Sequence, residues 1–534
     1  MSGRAPAEML LMRHLLLLFC LPTAPLLAAP VGAPLMPEGL IIASIQIETH
    51  NVFDTSAPPE NKLLYRWADR IHIKTRDYVI EKELLFEEGD LYDPLLIEET
   101  ERNLRELPFI RRAEVSATVN ELGGVDVIVR TYDSWTLEVV ASFKRVGQSA
   151  TVKAGLAEHN VLGQGKSAAA VYTRAGKTES RAFDYRDPQF LHHKRLQYSI
   201  AASAAPGAQD YSMSLERPFY ASIVRRAMGA TVNYGNTLIS TGTAASGPIS
   251  RAIGEVGVSY GIALATSTER TRRVNFGVLA HRALSNGPAP SLEQMTFLKI
   301  GADWQELDFL TVRRIRNFTQ DEDYNLGLGI FPALAWAPMV RPLGSTESQF
   351  IPKLDVTKGI TWSSQLLLMK SGYSSRYVNG ANKNRVISFD ATYYVRGLRF
   401  QTLAFHAGLD LGWNLDTESQ LTLGESNGLR GYGLSEFSGN RRVLFNIEDR
   451  VYVYDNLFRL LDIGAVAFFD SGYVWPSTSP VKPADMKNSV GLGLRVAPSR
   501  SSGNSPVRID VAFPLRNSAG RPRWSLSILA GQAF

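Results

Sequence analysis

Residues 428–475 decide the fold. They open with GLRGYG at 428–433, pass through NIED at 446–449 and close with FFDSGYVW at 468–475. In the first of two alternating runs, one face carries Val443, Phe445, Ile447, Val451 and Val453, and the other carries Arg442, Asn446, Glu448 and Arg450. In the second run, Ile463, Ala465, Ala467, Phe469, Tyr473 and Trp475 oppose Gly464, Asp470 and Gly472. Such alternation predicts two β-strands whose faces meet different environments.

The segment before these strands is rich in glycine and contains one arginine, Arg430. Taken alone, such a segment is more often a loop exposed to solvent. Each of the two strands downstream, however, places a carboxylate on its polar face, Glu448 in the first and Asp470 in the second. A guanidinium group can bind a carboxylate through two parallel hydrogen bonds. The sequence therefore predicts that the loop folds inward and that Arg430 meets Glu448 or Asp470 inside a barrel.

Length and charge narrow the class of protein. The chain has 534 residues and a formal net charge of +5, which gives no support for a nucleic-acid partner. Beyond the N-terminus, no stretch approaches the roughly 18 consecutive apolar residues of a transmembrane helix. This excludes a helical membrane protein but not a membrane β-barrel, whose strands give only a weak alternating signal.

The first 29 residues have the pattern of a secretory signal peptide. Arg4 and Arg13 precede the apolar run 15–21, and residues 27–29 offer a cleavage site of small residues. The only cysteine, Cys20, lies in the apolar run behind Phe19, where a lipoprotein signal requires a small residue. We therefore expect no lipidation and a mature chain without thiols, as suits an oxidising compartment.

Residues 40–133 read as a small α+β domain. Alternation predicts a strand at 41–49, helical spacing predicts helices at 77–86 and 93–107, and two further strands follow at 110–119 and 125–131. An inserted helix over 61–71 is also expected. The order is strand, helix, helix, strand, strand.

From residue 134 to 534 the sequence pattern changes to strands of alternating polarity joined by loops. The polar faces hold charges and glycines, and the apolar faces end in Trp, Tyr and Phe, as in aromatic girdles at membrane interfaces. The sequence thus predicts an all-β transmembrane barrel of antiparallel strands. The raw count of alternating runs is near twenty. Between Gly254 and Phe331, however, the sequence does not distinguish a wall strand from part of a long loop.

Six motifs in this order resemble the outer-membrane protein 85 superfamily. They are NVLGQG at 160–165, DPQF at 187–190, RGY at 430–432, FFDSG at 468–472, GLGLR at 491–495 and the final Phe534. The chain looks like a short BamA/TamA-like member, of the bacterial surface antigen type, with a single POTRA domain at 40–133. The resemblance implies about 16 strands and a location in the bacterial outer membrane, with the POTRA domain in the periplasm.

The resemblance also implies roles for individual residues. The lumenal loop motif is Arg430, Gly431, Tyr432 and Gly433, and the positions that accept it on the barrel wall are Glu448, Asp470 and Gly472. The first strand, 135–144, is expected to pair with the last, 524–534. The residues assigned to this lateral seam are Trp135, Leu137, Val139, Trp524, Ile528 and Phe534. Gly531 is expected to weaken the pairing.

In this family the first and last strands are incompletely paired and can separate laterally. The exposed backbone edge can then pair with an incoming strand. The resemblance thus implies a non-enzymatic factor that inserts or translocates polypeptides at the outer membrane. The implied partners are outer-membrane lipids, an unfolded or partly folded client polypeptide, and periplasmic or lipoprotein partners at the POTRA domain. The alternative is a passive pore or an exporter of one dedicated passenger protein.

An enzymatic function finds little support in the residues. A Gly-x-Ser-x-Gly motif is broken where Phe437 follows Gly433 and Ser435, and no His-x-x-x-His or Cys-x-x-Cys pair occurs. Eight scattered histidines predict neither a metal site nor a cofactor.

Overall fold

The computed structural model describes residues 39–146, 149–239, 249–286, 290–416, 419–480, 482–502, 506–515 and 524–534. The predicted signal peptide, with Cys20, lies outside these residues. No helix within them is long and apolar enough to span a bilayer.

The N-terminal domain, residues 40–133, is a three-stranded sheet covered by helices. Its elements in chain order are β1 (Ile42–His50), α1 (Leu63–Ile71), α2 (Asp77–Glu81), α3 (Pro94–Arg105), β2 (Ile110–Val119) and β3 (Val125–Asp133). The sheet order is β1–β3–β2, with β3 parallel to β1 and antiparallel to β2. The central strand β3 alternates strictly between buried and half-buried residues, and its buried face packs on Ile80, Leu104 and Phe109.

Local signals account for the helix boundaries. The Asp93 carboxylate accepts the N–H of Leu95 at 2.9 Å and caps α3, and Pro94 occupies the first turn, where proline is tolerated. Helix α2 ends at Glu81, five residues before the predicted end, and Glu83 beyond it is buried at the contact with the barrel.

The remainder of the described chain forms a closed antiparallel barrel of twenty strands. These are β4 (Leu137–Val146), β5 (Ser149–Glu158), β6 (Ser167–Ala175), β7 (Thr178–Asp187), β8 (Gln197–Ala205), β9 (Ala208–Arg217), β10 (Arg226–Ile239), β11 (Ile249–Thr266), β12 (Arg270–Asn286), β13 (Ser291–Glu306), β16 (Gly329–Ala337), β17 (Gln349–Trp362), β18 (Gln365–Val378), β19 (Ala381–Val395), β20 (Gln401–Trp413), β23 (Arg441–Leu457), β24 (Leu461–Trp475), β25 (Lys487–Pro498), β26 (Val507–Pro514) and β27 (Ser525–Ala530). Two short hairpins lie between wall strands. They are β14 (Phe309–Val312) with β15 (Glu322–Asn325), and β21 (Leu421–Leu423) with β22 (Phe437–Gly439).

The expected number of about 16 strands is wrong for this chain. The raw count of alternating runs, near twenty, agrees with the barrel that the described residues form. The stretch left undecided, Gly254 to Phe331, holds most of β11 and the whole of β12 and β13, wall strands of 18, 17 and 16 residues. It also holds the hairpin β14–β15. A family resemblance does not fix how many hairpins join the wall, and each added strand widens a barrel.

The alternation predicted for β23 and β24 is present in the structure. On β23, Phe445, Ile447 and Val453 are exposed on the outer surface, whereas Asn446, Glu448 and Arg450 are buried inside.

Strand β4 begins at Leu137 rather than at the predicted Trp135. We call the end of the barrel where β4 begins the near end. Because the strands alternate in direction, the opposite end, where the loop with Arg430 starts, is the far end.

The first two turns at the near end dock onto the N-terminal domain. In the turn after β5, Asn160 Nδ2 donates to Thr75 Oγ1 at 2.8 Å, and the carbonyl of Gly163 accepts the N–H of Arg76 at 3.0 Å. In the turn after β7, Gln189 Nε2 donates to Glu83 Oε1 at 2.8 Å, and Arg195 forms an ion pair with the same carboxylate. Burial raises the pKa of the Glu83 carboxyl despite these partners.

Replacing Gly163 with alanine is expected to loosen this docking. A Cβ atom there would lie 2.4 Å from the carbonyl oxygen of Lys74, and the residue has φ +70°. Gly176→Ala is the matched control, because Gly176 has φ +60° with nothing within 4 Å of the added carbon. Both variants carry a left-handed penalty of about 1–2 kcal/mol. Faster trypsin cleavage at Lys74 and Arg76 in the Gly163 variant alone is expected; equal rates would contradict the contact.

Candidate functional site

The loop between β20 and β23 folds back into the barrel from the far end. Leu429 and Tyr432 are buried together with Leu423 against Leu444 of the wall strand β23. The loop turns at Gly428 and Gly431, where φ is 98° and 89°, a left-handed conformation that glycine adopts without strain. Arg430 lies between these two turns.

The side chain of Arg430 binds both predicted carboxylates. Its Nε and Nη2 donate to the two oxygens of Asp470 at 2.7 Å each, and its Nη1 donates to Glu448 Oε1 at 2.7 Å. The guanidinium carbon lies 3.5 Å from the centre of the Phe468 ring. The Arg430 side chain is 2% exposed and both carboxylates are 0% exposed. The tip of the loop is therefore fixed in direction as well as in charge.

The ion pairs extend beyond the predicted residues. Arg450 Nε donates to the second oxygen of Glu448 at 2.8 Å, and Arg495 Nη1 donates to Asp510 Oδ1 at 2.5 Å. Asp510 also lies 3.6 Å from Arg430 Nη1. We call Arg430, Arg450, Arg495, Glu448, Asp470 and Asp510 the arginine cluster. Within the described ranges no His, Cys, Asp and Glu side chains group so as to hold a metal ion.

Arg450, Arg495 and Asp510 are members of the site that the sequence did not predict. The signal was present, since all three stand on the polar faces of alternating runs. What the sequence lacked was the order of strands around the barrel, which brings β23 and β25 close enough to share Glu448, with Arg495 Nη2 3.9 Å from its Oε1.

The other motif residues contact the wall or the loop itself. Tyr432 Oη donates to the carbonyl of Asn488 at 3.0 Å, and the Gly431 N–H donates to Glu425 Oε2 at 3.0 Å. The Gly433 N–H donates to Glu436 Oε2 at 2.7 Å. Gly472 has no side chain that could accept a bond from the loop. A Cβ atom there would lie 2.9 Å from Leu423 Cδ2, so Gly472 provides space for the hairpin β21–β22.

A second segment enters the barrel from the near end. It is residues 307–328, between β13 and β16, and we call it the lumenal hairpin. Ile315 and Phe318 at its tip are buried. The carbonyl of Ile315 accepts Arg450 Nη1 at 2.7 Å, and the Phe318 ring packs edge-on against Tyr452 with centroids 5.1 Å apart. Arg450 thus bonds the lumenal hairpin on one side and Glu448 of the arginine cluster on the other.

The lumenal hairpin also contacts the N-terminal domain. Arg105 of α3 binds Asp323 of β15 through Nε at 3.0 Å and Nη2 at 2.8 Å. The Arg102 guanidinium lies over the Phe309 ring at 4.2 Å. In the hairpin, the Glu322 carboxylate accepts the N–H groups of residues 315, 316 and 317 at 2.9–3.1 Å. Ion pairs and hydrogen bonds therefore run from α3 through the hairpin to Arg430.

The seam that closes the barrel is short. Strands β27 and β4 pair over four residues each, 525–528 with 143–146, whereas β4 pairs with β5 over ten. Of the predicted seam residues, Ile528 pairs with Phe143. Leu137 and Val139 lie nearer the start of β4, beyond the four pairs, and Val139 is 71% exposed. Trp524 is exposed just before β27.

Two predicted seam residues lie elsewhere. Trp135 precedes β4, bridges to Ser501 in the β25–β26 turn and packs beside Val52 of the N-terminal domain. Phe534 lies inside the barrel, because the chain turns at Gly531, where φ is +84°, and leaves the wall. The Phe534 ring lies 5.3 Å from that of His406, and its main-chain oxygen accepts Arg450 Nη2 at 3.2 Å.

A cavity of about 860 Å³ lies along β10–β13 and β16–β18, strands that carry none of the arginine cluster. Its lining includes charged side chains of both signs: Arg251, Glu255, Glu293, Lys299, Asp303, Lys353 and Asp355. A wall that is polar inside and apolar outside is typical of a membrane barrel with a hydrated interior.

A closed barrel of this kind, with a loop arginine bound to two wall carboxylates and a small α+β domain at one end, defines an outer-membrane β-barrel protein. The model of the Omp85 superfamily domain matches residues 160–534, and the chain belongs to that superfamily. Its barrel fold implies the bacterial outer membrane as the location. No curated protein matches the chain.

The chain is similar to several solved structures at low identity. BamA from Haemophilus ducreyi lacking POTRA domains 1–3 is 12% identical, with 92% of this chain and 85% of that chain covered and a TM-score of 0.38. CdiB from Acinetobacter baumannii is 10% identical, with 92% and 74% covered and a TM-score of 0.46. CdiB from Escherichia coli is 12% identical, with 99% of each chain covered and a TM-score of 0.45.

Proposed function

We propose that this protein is a non-enzymatic factor that inserts or translocates polypeptides at the bacterial outer membrane. The observation that carries the proposal is the short seam, in which only four residues of β27 pair with β4. An incompletely paired strand offers backbone N–H and C=O groups to another chain. The edge of β4 towards the near end, residues 137–142, is where an incoming client strand would add.

The N-terminal domain is proposed to be a periplasmic POTRA domain that receives the client. Its docking on the first two near-end turns supports this arrangement, since it brings the domain to the end where β4 begins. Periplasmic or lipoprotein partners are proposed to bind this domain as well. No cofactor is required, because strand addition uses backbone hydrogen bonds alone.

Locking the seam tests the proposal. Cysteines at Phe143 and Ile528, which are cross-strand partners, are expected to form a disulfide that holds β4 and β27 together. In cells depleted of any paralogue, the oxidised variant is expected to change the protein composition of the outer membrane, and reduction is expected to restore it.

The control is a cysteine pair at Ala141 and Ala154, which are partners on the fully paired strands β4 and β5. This disulfide leaves the seam free to open, so the outer-membrane composition should stay unchanged. If the seam-locked variant behaved like the control, lateral opening would have no part in the function.

The cavity favours a second candidate function, a passive pore or an exporter of one passenger protein. A hydrated channel lined by charges of both signs would suit the passage of ions or of an unfolded chain. Strong conductance of the purified protein in planar bilayers, together with an unchanged outer-membrane composition in the seam-locked cells, would favour this candidate over the first.

A further inference from the structure

Helix α1, Leu63–Ile71, lies against the near-end rim of the barrel. Its buried side carries Tyr65 and Ala68, which pack with Phe53 and Leu460. Tyr65 Oη donates to the carbonyl of Phe458 at 2.8 Å, and Phe458 lies in the turn between β23 and β24. The helix is thus fixed directly to a turn that joins two wall strands.

The side of α1 turned away from the protein is apolar. Leu63, Trp67 and Ile71 follow one another at intervals of four residues and are 77%, 60% and 49% exposed. Leu64 adds to the same stripe, and residues at this spacing lie on one helical face. A tryptophan and three aliphatic residues in one exposed stripe indicate a surface that something apolar covers.

A basic stripe runs beside the apolar one. Arg66 and Arg70 are exposed and lie one turn apart, and Lys62 precedes them at the start of the helix. An apolar stripe with tryptophan next to a stripe of lysine and arginine is typical of helices that lie in the interface of a membrane. Long basic side chains can reach the headgroups while their stems cover apolar surface.

Helix α1 is bonded to the barrel beside its apolar outer surface. On β23, Val453 and Tyr454 are exposed on the outer face, and Phe458, whose carbonyl binds Tyr65, is 74% exposed in the turn. The apolar outer surface of the barrel therefore extends to Phe458, the residue to which α1 is bonded. Because the apolar outer surface of a membrane barrel faces lipid, an occupant of the α1 stripe beside this surface would itself be lipid rather than a folded protein partner.

We propose that α1 lies in the periplasmic leaflet of the outer membrane, with Leu63, Leu64, Trp67 and Ile71 among the acyl chains and the basic stripe on anionic headgroups. The proposal rests on the proposed periplasmic placement of the N-terminal domain. It gives that domain a second attachment, to lipid, and holds Trp135, which packs in the same cluster as Tyr65, beside the start of β4.

Fluorescence of the full-length protein in liposomes tests this placement. A cysteine replaces Trp67 in one variant and Leu122 in the other, with Cys20→Ser in both, and each carries an environment-sensitive nitrobenzoxadiazole label. Leu122 is the matched control, because it is 96% exposed in the turn between β2 and β3. The label at 67 is expected to be quenched by nitroxides on lipid acyl chains and protected from aqueous iodide, with the reverse pattern at 122.

Two further comparisons define the ligand. In vesicles with phosphatidylglycerol, Arg66→Gln with Arg70→Gln is expected to reduce acyl-chain quenching at 67, and in pure phosphatidylcholine the effect should be small. Equal access of iodide to both labels would overturn the proposal. Protection that vanishes at a low protein-to-lipid ratio would assign the stripe to a second copy and also overturn it. Because no client is present, these outcomes do not depend on the seam experiment.

Discussion

Arg430→Ala is expected to destabilise the folded barrel by about 3–5 kcal/mol, the usual cost of leaving buried charges without their partner. Asp470 would lose both of its bonds to the guanidinium group, and Glu448 would keep Arg450 alone as a close partner. Neither carboxylate has solvent access, so water cannot replace the lost donors without rearrangement of the loop. The measurement is the temperature at which the fast-migrating folded form disappears in detergent gels.

Arg174→Ala is the control, because Arg174 is exposed near the far-end turn after β6. It should leave this temperature unchanged. For Arg430→Lys, this temperature should lie between those of the Arg430→Ala and Arg174→Ala variants, because lysine restores the charge but not the bidentate contact with Asp470. An alanine variant as heat-resistant as the wild type would show that the arginine cluster contributes little to holding the loop.

Removal of the lumenal hairpin is expected to raise the single-channel conductance of the purified protein several-fold. Replacing residues 309–325 with a short glycine-serine linker takes Ile315 and Phe318 out of the interior, where Ile315 packs with Leu366 and Tyr394 and the Phe318 ring packs against Tyr452. The linker can join β13 to β16 because Glu306 and Leu328 are already bonded across the base at 2.9 Å. Recordings in planar bilayers measure the change.

The control removes charge from the hairpin without emptying the barrel. Arg313 and Asp321, which flank the tip just beyond β14 and β15, form an ion pair at 2.5 Å with side chains 62% and 35% exposed, and replacing both with alanine leaves Ile315 and Phe318 in place. Its conductance should equal that of the wild type. If the shortened protein also conducted like the wild type, the hairpin would not be the barrier to ions in the near half of the barrel.

The contacts of Arg430 could be predicted because they depend on local patterns. A period of two places Glu448 and Asp470 on the polar faces of neighbouring strands, and the glycines at 428 and 431 mark a loop that turns tightly. The same period of two places Arg450, Arg495 and Asp510 on the polar faces of their runs, but it does not specify which of them meet. Their pairing depends on strand order and register around the closed wall.

The lumenal hairpin shows where alternation stops being informative. Strands β14 and β15 are four residues each and resemble the ends of wall strands in sequence. They differ from wall strands in their surroundings. The carbonyls of Arg314 and Ile315 near the tip accept bonds from Tyr452 and Arg450 of β23, more than 130 positions away along the chain.

Phe534 gives a second example. Alternation at the end of the chain puts it on the face of Trp524 and Ile528, and the family resemblance assigned all three to the lateral seam. The left-handed turn at Gly531 ends the alternation, and Arg450 and His406 hold Phe534 inside the barrel. Gly531 indicated weaker pairing, but not the direction in which the chain leaves the wall.

By itself, the sequence determined that strands with one apolar and one polar face form most of this chain, behind a small α+β domain, and that a loop arginine meets Glu448 or Asp470 of the wall. Those features follow from side-chain order along single segments. The tertiary structure alone decided the twenty strands, the four-residue seam, and the hairpin and final residues inside the barrel. These depend on contacts between residues far apart in the chain, which the alternation within one strand cannot specify.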